Sequence, residues 1–313
     1  MTLSSALLAS VAIPPEVAWC YAVSAVVSVV GLSVIFLGGY WAKARGLEKL
    51  IIFGPLFYAV PIAAFGTQHF MTPKDIAAMV PEFIPWHMFW TYFIGACFIA
   101  AGLSLATRIQ AQLAAALLGF TFFVFVTTMD IPSWLHTPHD RFATALMLRE
   151  LSFSSGALAL AASLTARWRE RQTHPLAIWA RYTIAVTILF YSFEQFLHAD
   201  HVPGLPLEMV TSTRIPAHAF WTYLTAAVFA VTGILLLVGK MTRLAAAVTG
   251  LSIFVVELVV YLPIAWWERA SLEGINYLYD TLMFCGAVLM LAAAMPPETR
   301  ESASTAASQS PAA

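Results

Sequence analysis

Residues Ile84 to Tyr92 read I-P-W-H-M-F-W-T-Y, and residues Ile215 to Tyr223 read I-P-A-H-A-F-W-T-Y. Seven of the nine positions agree without a gap. Chance matches about one position in twenty, so the phrase marks an internal duplication. The match extends outward from it. At the same offset of 131, Leu113-Ala-Ala-Ala-Leu-Leu-Gly119 answers Leu244-Ala-Ala-Ala-Val-Thr-Gly250, and Pro132 answers Pro263. At an offset one shorter, Gly156-Ala-Leu-Ala-Leu-Ala-Ala answers Gly286-Ala-Val-Leu-Met-Leu-Ala, which pairs Glu150 with Asp280. Upstream, Gln68-His69-Phe70 answers Glu194-Gln195-Phe196.

The medium in which this duplication folds follows from composition. The 313 residues are 60% hydrophobic and 11% charged, against about 25% charged in a typical soluble domain. Apolar runs recur along the chain and many reach about 20 residues, enough to cross a bilayer as a helix. They are solid runs, without the alternation of a β-barrel strand. The fold class is therefore all-α: a polytopic membrane protein of about nine transmembrane helices, in contact with the lipid bilayer. A net charge of −1 argues against a nucleic-acid partner.

The spans fall at 16–41, 47–66, 84–106, 111–129, 145–165, 175–197, 217–239, 244–266 and 275–295. They divide the chain into an N-terminal segment with an extra transmembrane helix (1–46), a first four-helix repeat (47–174), a second (175–296) and a Ser-, Ala-, Thr- and Pro-rich tail (297–313) that reads as disordered. The stretch from Met1 to Pro15 lacks Lys and Arg and reads as a lead into the first helix rather than as a signal peptide. Four helices per repeat make the repeats parallel in topology, related by an axis along the membrane normal. Cys20, Cys97 and Cys285 are scattered through apolar runs without a C-x-x-C pair and read as small core hydrophobes.

Orientation follows from the basic residues. Lys43, Arg45, Lys49, Arg108, Arg167, Arg169, Arg171, Arg181, Lys240, Arg243 and Arg300 share one side, which the positive-inside rule makes cytoplasmic. Lys74, Arg141, Arg149, Arg214 and Arg269 share the other. The N-terminus then lies outside and the C-terminus in the cytoplasm, with loops 67–83, 130–144, 197–216 and 267–274 facing outward.

Polar chemistry collects on that outer side. His69, His87, His136, His139, His198, His201 and His218 all fall there, and only His174 falls inside. His87 and His218 open their helices, where the helix dipole disfavours imidazolium. Neutral imidazole suits a quinone carbonyl, a haem or a metal, with Trp90 and Trp221 available to flank a ring. The alternative is a pair of interfacial belt residues beside Trp90 and Trp221. In Glu194-Gln-Phe-Leu-His198-Ala-Asp200-His201, Glu194 and His198 share a helical face. With His69, these histidines form a candidate metal set, or else a hydrogen-bonded helix end. Glu150 and Asp280 read as first-turn acids that complement helix dipoles, or as walls of a pocket between the repeats together with Arg149. Glu257 lies about ten residues below Trp267, roughly 15 Å down and near mid-bilayer. Its match in the first repeat is Val126, so that acid is not duplicated.

The turn Gly233-Ile-Leu-Leu-Leu-Val-Gly239-Lys-Met-Thr-Arg243-Leu-Ala-Ala246, in a four-helix unit with a polar outer loop and a Pro-led second helix, resembles the DoxX family. The first repeat keeps only Gly102-Leu-Ser-Leu and Arg108 of that pattern. The resemblance covers about residues 47–295 as two fused units. It implies an integral subunit of a redox system in the bacterial cytoplasmic (inner) membrane, quinone-linked, with a membrane or periplasmic protein partner. On that expectation His87 and His218 hold a quinone between the repeats, and Glu194, Glu150, Asp280 and Glu257 carry protons. The alternatives are a non-enzymatic accessory or scaffold subunit, a haem or transition-metal protein using His69, His198 and His201, and a small-solute transporter with its path along the repeat interface.

Overall fold

The computed structural model describes residues 13–165, 174–201 and 210–297. The lead-in read at residues 1–12, the tail from 298 onward, and Arg167, Arg169, Arg171 and Arg300 lie outside them. Among the described residues nine helices are long and apolar enough to cross a membrane. They are α1 (Pro15–Leu37), α2 (Glu48–Met71), α3 (His87–Thr107), α4 (Ala111–His136), α5 (Arg141–Ser163), α6 (Pro175–Leu197), α7 (His218–Val238), α8 (Thr242–Trp267) and α9 (Leu272–Ala294). The chain is an all-α polytopic membrane protein.

Several boundaries differ from the expected ones, three of them next to the polar loops. The span expected at 145–165 begins at Arg141, because Asp140 caps it by accepting from the Phe142 amide at 2.9 Å. The span expected at 111–129 runs on to His136 through a π-helical turn, Val126–Asp130. The span expected to end at 66 continues to Met71, and a short helix, Pro73–Met79, occupies the loop that follows.

The two halves carry matching elements. Helices α3 and α7 both have 21 residues, α4 and α8 both 26, and α5 and α9 both 23. Their backbones also match at unusual points. Trp86 and Ala217, Arg108 and Gly239, and Gln110 and Met241 all have positive φ, and each pair stands 131 residues apart. A π-turn recurs at Glu257–Tyr261 in α8. Its cause is legible: Pro132 and Pro263 lack an amide hydrogen and crowd the carbonyl four residues back. The ladder shifts instead to bonds spanning five residues, Ile131 N–H to Val126 O and Leu262 N–H to Glu257 O.

The halves interlock. Within each, the first helix packs on the second and the third on the fourth. The fourth helix of each then packs on the first of the other, α5 on α6 and α9 on α2. Helices α5 and α9 meet at the centre, where a Cβ on Gly156 would stand 2.6 Å from the Cα of Ala287. Only glycine lets these two backbones approach so closely. One apolar core runs from Val17 to Met295, so the boundary at 174/175 is not a boundary of packing. Helix α1 lies outside, against α2 and α3.

Candidate functional site

The central crossing of α5 and α9 carries an ion pair. Arg149 donates to Asp280 Oδ2 at 2.8 Å, and both side chains are largely buried. Each residue lies eight positions inside its helix, about 12 Å from the helix N-terminus. The first-turn reading of Glu150 and Asp280 is thereby corrected: α5 starts earlier than its apolar run, and both acids sit well inside the bundle.

Two more acids approach from the π-turns. Asp130 ends the first π-turn and shares a side-chain hydrogen bond with Glu150. Glu257 begins the second π-turn, is 3% exposed, and has no hydrogen-bond partner at either carboxyl oxygen. It lies within electrostatic reach of Asp280 and of the Cys285 thiol.

Helix α6 closes the other side. Thr183, Thr187, Tyr191 and Gln195 recur every four residues and so share one face. Tyr191 donates to Ala145 O at 2.7 Å and lies in the field of Arg149, Asp280 and Tyr261. Ser152 and Thr187 join hydroxyls at 2.9 Å, as do Thr183 and Ser155 at 2.6 Å. Gln195 is 2% exposed, with neither amide atom partnered. Arg149 Nε and one Asp130 oxygen are likewise buried without partners. Arg149, Asp130, Glu150, Asp280 and Glu257 thus form one buried polar chain at the bundle's centre, with Gln195 on α6 a further buried amide with polar capacity to spare.

Glu194 stands nearer the rim. Arg141 Nε pairs with it at 2.5 Å, and His198 Nε2 approaches it at 3.9 Å. The helix-end alternative for this segment is the arrangement found, with Arg141 of α5 as partner. His201 lies beside Asp200 at 2.9 Å, and this hydrogen bond holds the exposed Asp200 carboxyl below the usual carboxylate range. His69 does not join His198 and His201. Its Nδ1 bonds the Phe65 carbonyl of its own helix at 2.7 Å, and its ring meets Phe98 edge-on. Among the described residues no group of three or more His, Cys, Asp or Glu is placed to hold a metal ion. His136 and His139 are exposed.

The repeat histidines do not meet at the centre. His87 and His218 are half-exposed at the starts of α3 and α7. Helix α3 packs on α1, α2 and α4, and helix α7 on α6 and α8, with no substantial contact between α3 and α7. Trp90 is 38% exposed beside Trp86 and Phe89, and Trp221 Nε1 donates to Pro216 O at 3.2 Å. These are the features of an aromatic belt at the membrane surface, so the expected ring site between the two histidines is not formed. The residues that sequence reasoning overlooked are Tyr191, Gln195, Tyr261 and the Asp130–Glu150 pair. Their signals were present in the four-residue stripe on α6 and in the matched prolines that set the π-turns.

No protein-family model, no curated protein and no solved structure matches the chain.

Proposed function

We propose that the protein is an integral membrane subunit of a quinone-linked redox system, and that the polar centre between α5, α6 and α9 is its quinone site. The carrying observation is the buried Arg149–Asp280 pair surrounded by unpartnered donors and acid groups. Arg149 Nε and Gln195 Nε2 are buried donors without partners, the kind of group a quinone carbonyl oxygen accepts from. A bound quinone supplies two-electron chemistry that takes up or releases protons. The Asp130 and Glu150 carboxyls stand beside Arg149, and Tyr191 and Tyr261 lie near the same centre. The resemblance to the DoxX family supports the redox reading, and the excess of Lys and Arg around residues 43–49 and 240–243 supports placing that side in the cytoplasm of a bacterial inner membrane.

The test is solvent extraction of the purified protein followed by mass spectrometry. The expected result is co-purified quinone, lost in Gln195→Leu and Arg149→Met variants and retained in a His87→Ala/His218→Ala variant. Absence of quinone, with no binding of added quinone to the detergent-solubilised protein, would defeat the proposal and favour the accessory-subunit reading.

A further inference from the structure

Glu257 is the deepest acid of the centre and takes no part in the hydrogen bonds described above. It stands about ten residues from the outer end of α8, near mid-bilayer. Its carboxyl is enclosed but unbonded. From α9, Asp280 and Cys285 face it. Tyr261 follows it by one turn on its own helix and approaches Tyr191 of α6. From α5 comes Arg149, held by Asp280 at 2.8 Å, with Glu150 next to it. The first half has Val126 at the equivalent position, so the acid is not part of the packing that both copies share. It also opens a π-turn, a helical irregularity that recurs at functional sites.

A carboxylate at such depth persists only when paired, and a neutral carboxyl persists alone. Arg149 can answer one carboxylate at a time with a direct ion pair. We infer that Glu257 is a mid-membrane proton-binding site. In the arrangement described, Glu257 carries the proton and Asp280 is the carboxylate that holds Arg149. The inference shares Arg149 and Asp280 with the proposed quinone site but needs no quinone.

The test uses the full-length protein in native membranes or detergent. Dicyclohexylcarbodiimide, an apolar reagent that attacks protonated carboxyls, is added, and the modified peptides are mapped by mass spectrometry. The expected adduct is on Glu257, is lost in Glu257→Gln, and is kept in Glu257→Asp. Its yield falls as the pH is raised and the proton leaves. A water-soluble carbodiimide leaves the residue unmodified. An unlabelled Glu257 in folded wild-type protein overturns the inference. So does a yield that does not change with pH, because the proton would then be fixed rather than exchanged. Both outcomes are read in the wild-type chain, independently of how the variants fold and of whether quinone co-purifies.

Discussion

Arg149 and Asp280 come from helices 131 residues apart in sequence, yet they form a 2.8 Å pair in the middle of the bundle. A buried pair of this kind contributes little net stability compared with apolar residues of the same volume, but removing one partner leaves a charge with nothing to answer it. Arg149→Met alone should therefore destabilise the protein by about 3–5 kcal/mol. Arg149→Met combined with Asp280→Leu should cost markedly less than the sum of the two single changes. Denaturant or thermal unfolding in detergent, arranged as a double-mutant cycle, measures the difference. Additive costs would mean that the two groups do not depend on each other. The identity of the pair could be narrowed from sequence, since Glu150 and Asp280 align in the repeats and Arg149 stands beside one of them. The partner could not be fixed, because adjacent residues on a helix point about 100° apart and the crossing point of α5 on α9 is set by Gly156.

At the scale of the element, apolar run length located all nine spans, because a bilayer imposes a length that sequence must meet. It misplaced their ends where polar residues remain helical. Asp130 and Arg141 read as loop residues by charge, but Asp130 bonds Glu150 and Arg141 bonds Glu194, so each has a partner inside a helix. The helix ends on the Lys- and Arg-rich side behave more simply. Arg243 donates to Ala292 O at 3.1 Å and Met295 O at 2.8 Å, satisfying carbonyls that the end of α9 leaves open. The turns between second and third helices carry a visible cost. Arg108 and Gln110 adopt left-handed backbone where the second half has Gly239 and Met241. The second half relieves one of these positions with glycine. Gln110 is exposed, its φ is 53°, and its side chain caps nothing. A Gln110→Gly change should stabilise the protein by about 1 kcal/mol by removing left-handed strain. A rise in the unfolding midpoint checks this, and an unchanged or lower midpoint would show that the turn is held by something other than its backbone conformation.

For the whole molecule, the duplication has diverged in what its seams contain. Helices α5 and α6 are joined by Arg141–Glu194, Tyr191 to Ala145 O, Ser152–Thr187 and Thr183–Ser155. The equivalent seam of α9 on α2 has the Gln68–Asn276 bond at 2.5 Å near its outer end and close apolar packing below. The polar centre accordingly leans toward α6, although both halves supply its acids. All of its ionisable groups belong to the halves of the spans that sequence places outside, while Lys43, Lys49, Lys240 and Arg243 gather at the opposite ends. That asymmetry fixes an expected orientation, and cysteine labelling tests it. Cys20 and Cys285 are buried and Cys97 lies on α3 within the membrane span, so a Cys97→Ser chain gives a quiet background. His139→Cys, in the exposed turn between α4 and α5, should react with a membrane-impermeant maleimide applied to intact cells. Lys240→Cys, in the turn between α7 and α8, should react only after the membrane is opened. The reverse pattern would place the carboxylate centre near the cytoplasm, and protons for any quinone bound there would then exchange with the inner rather than the outer aqueous phase.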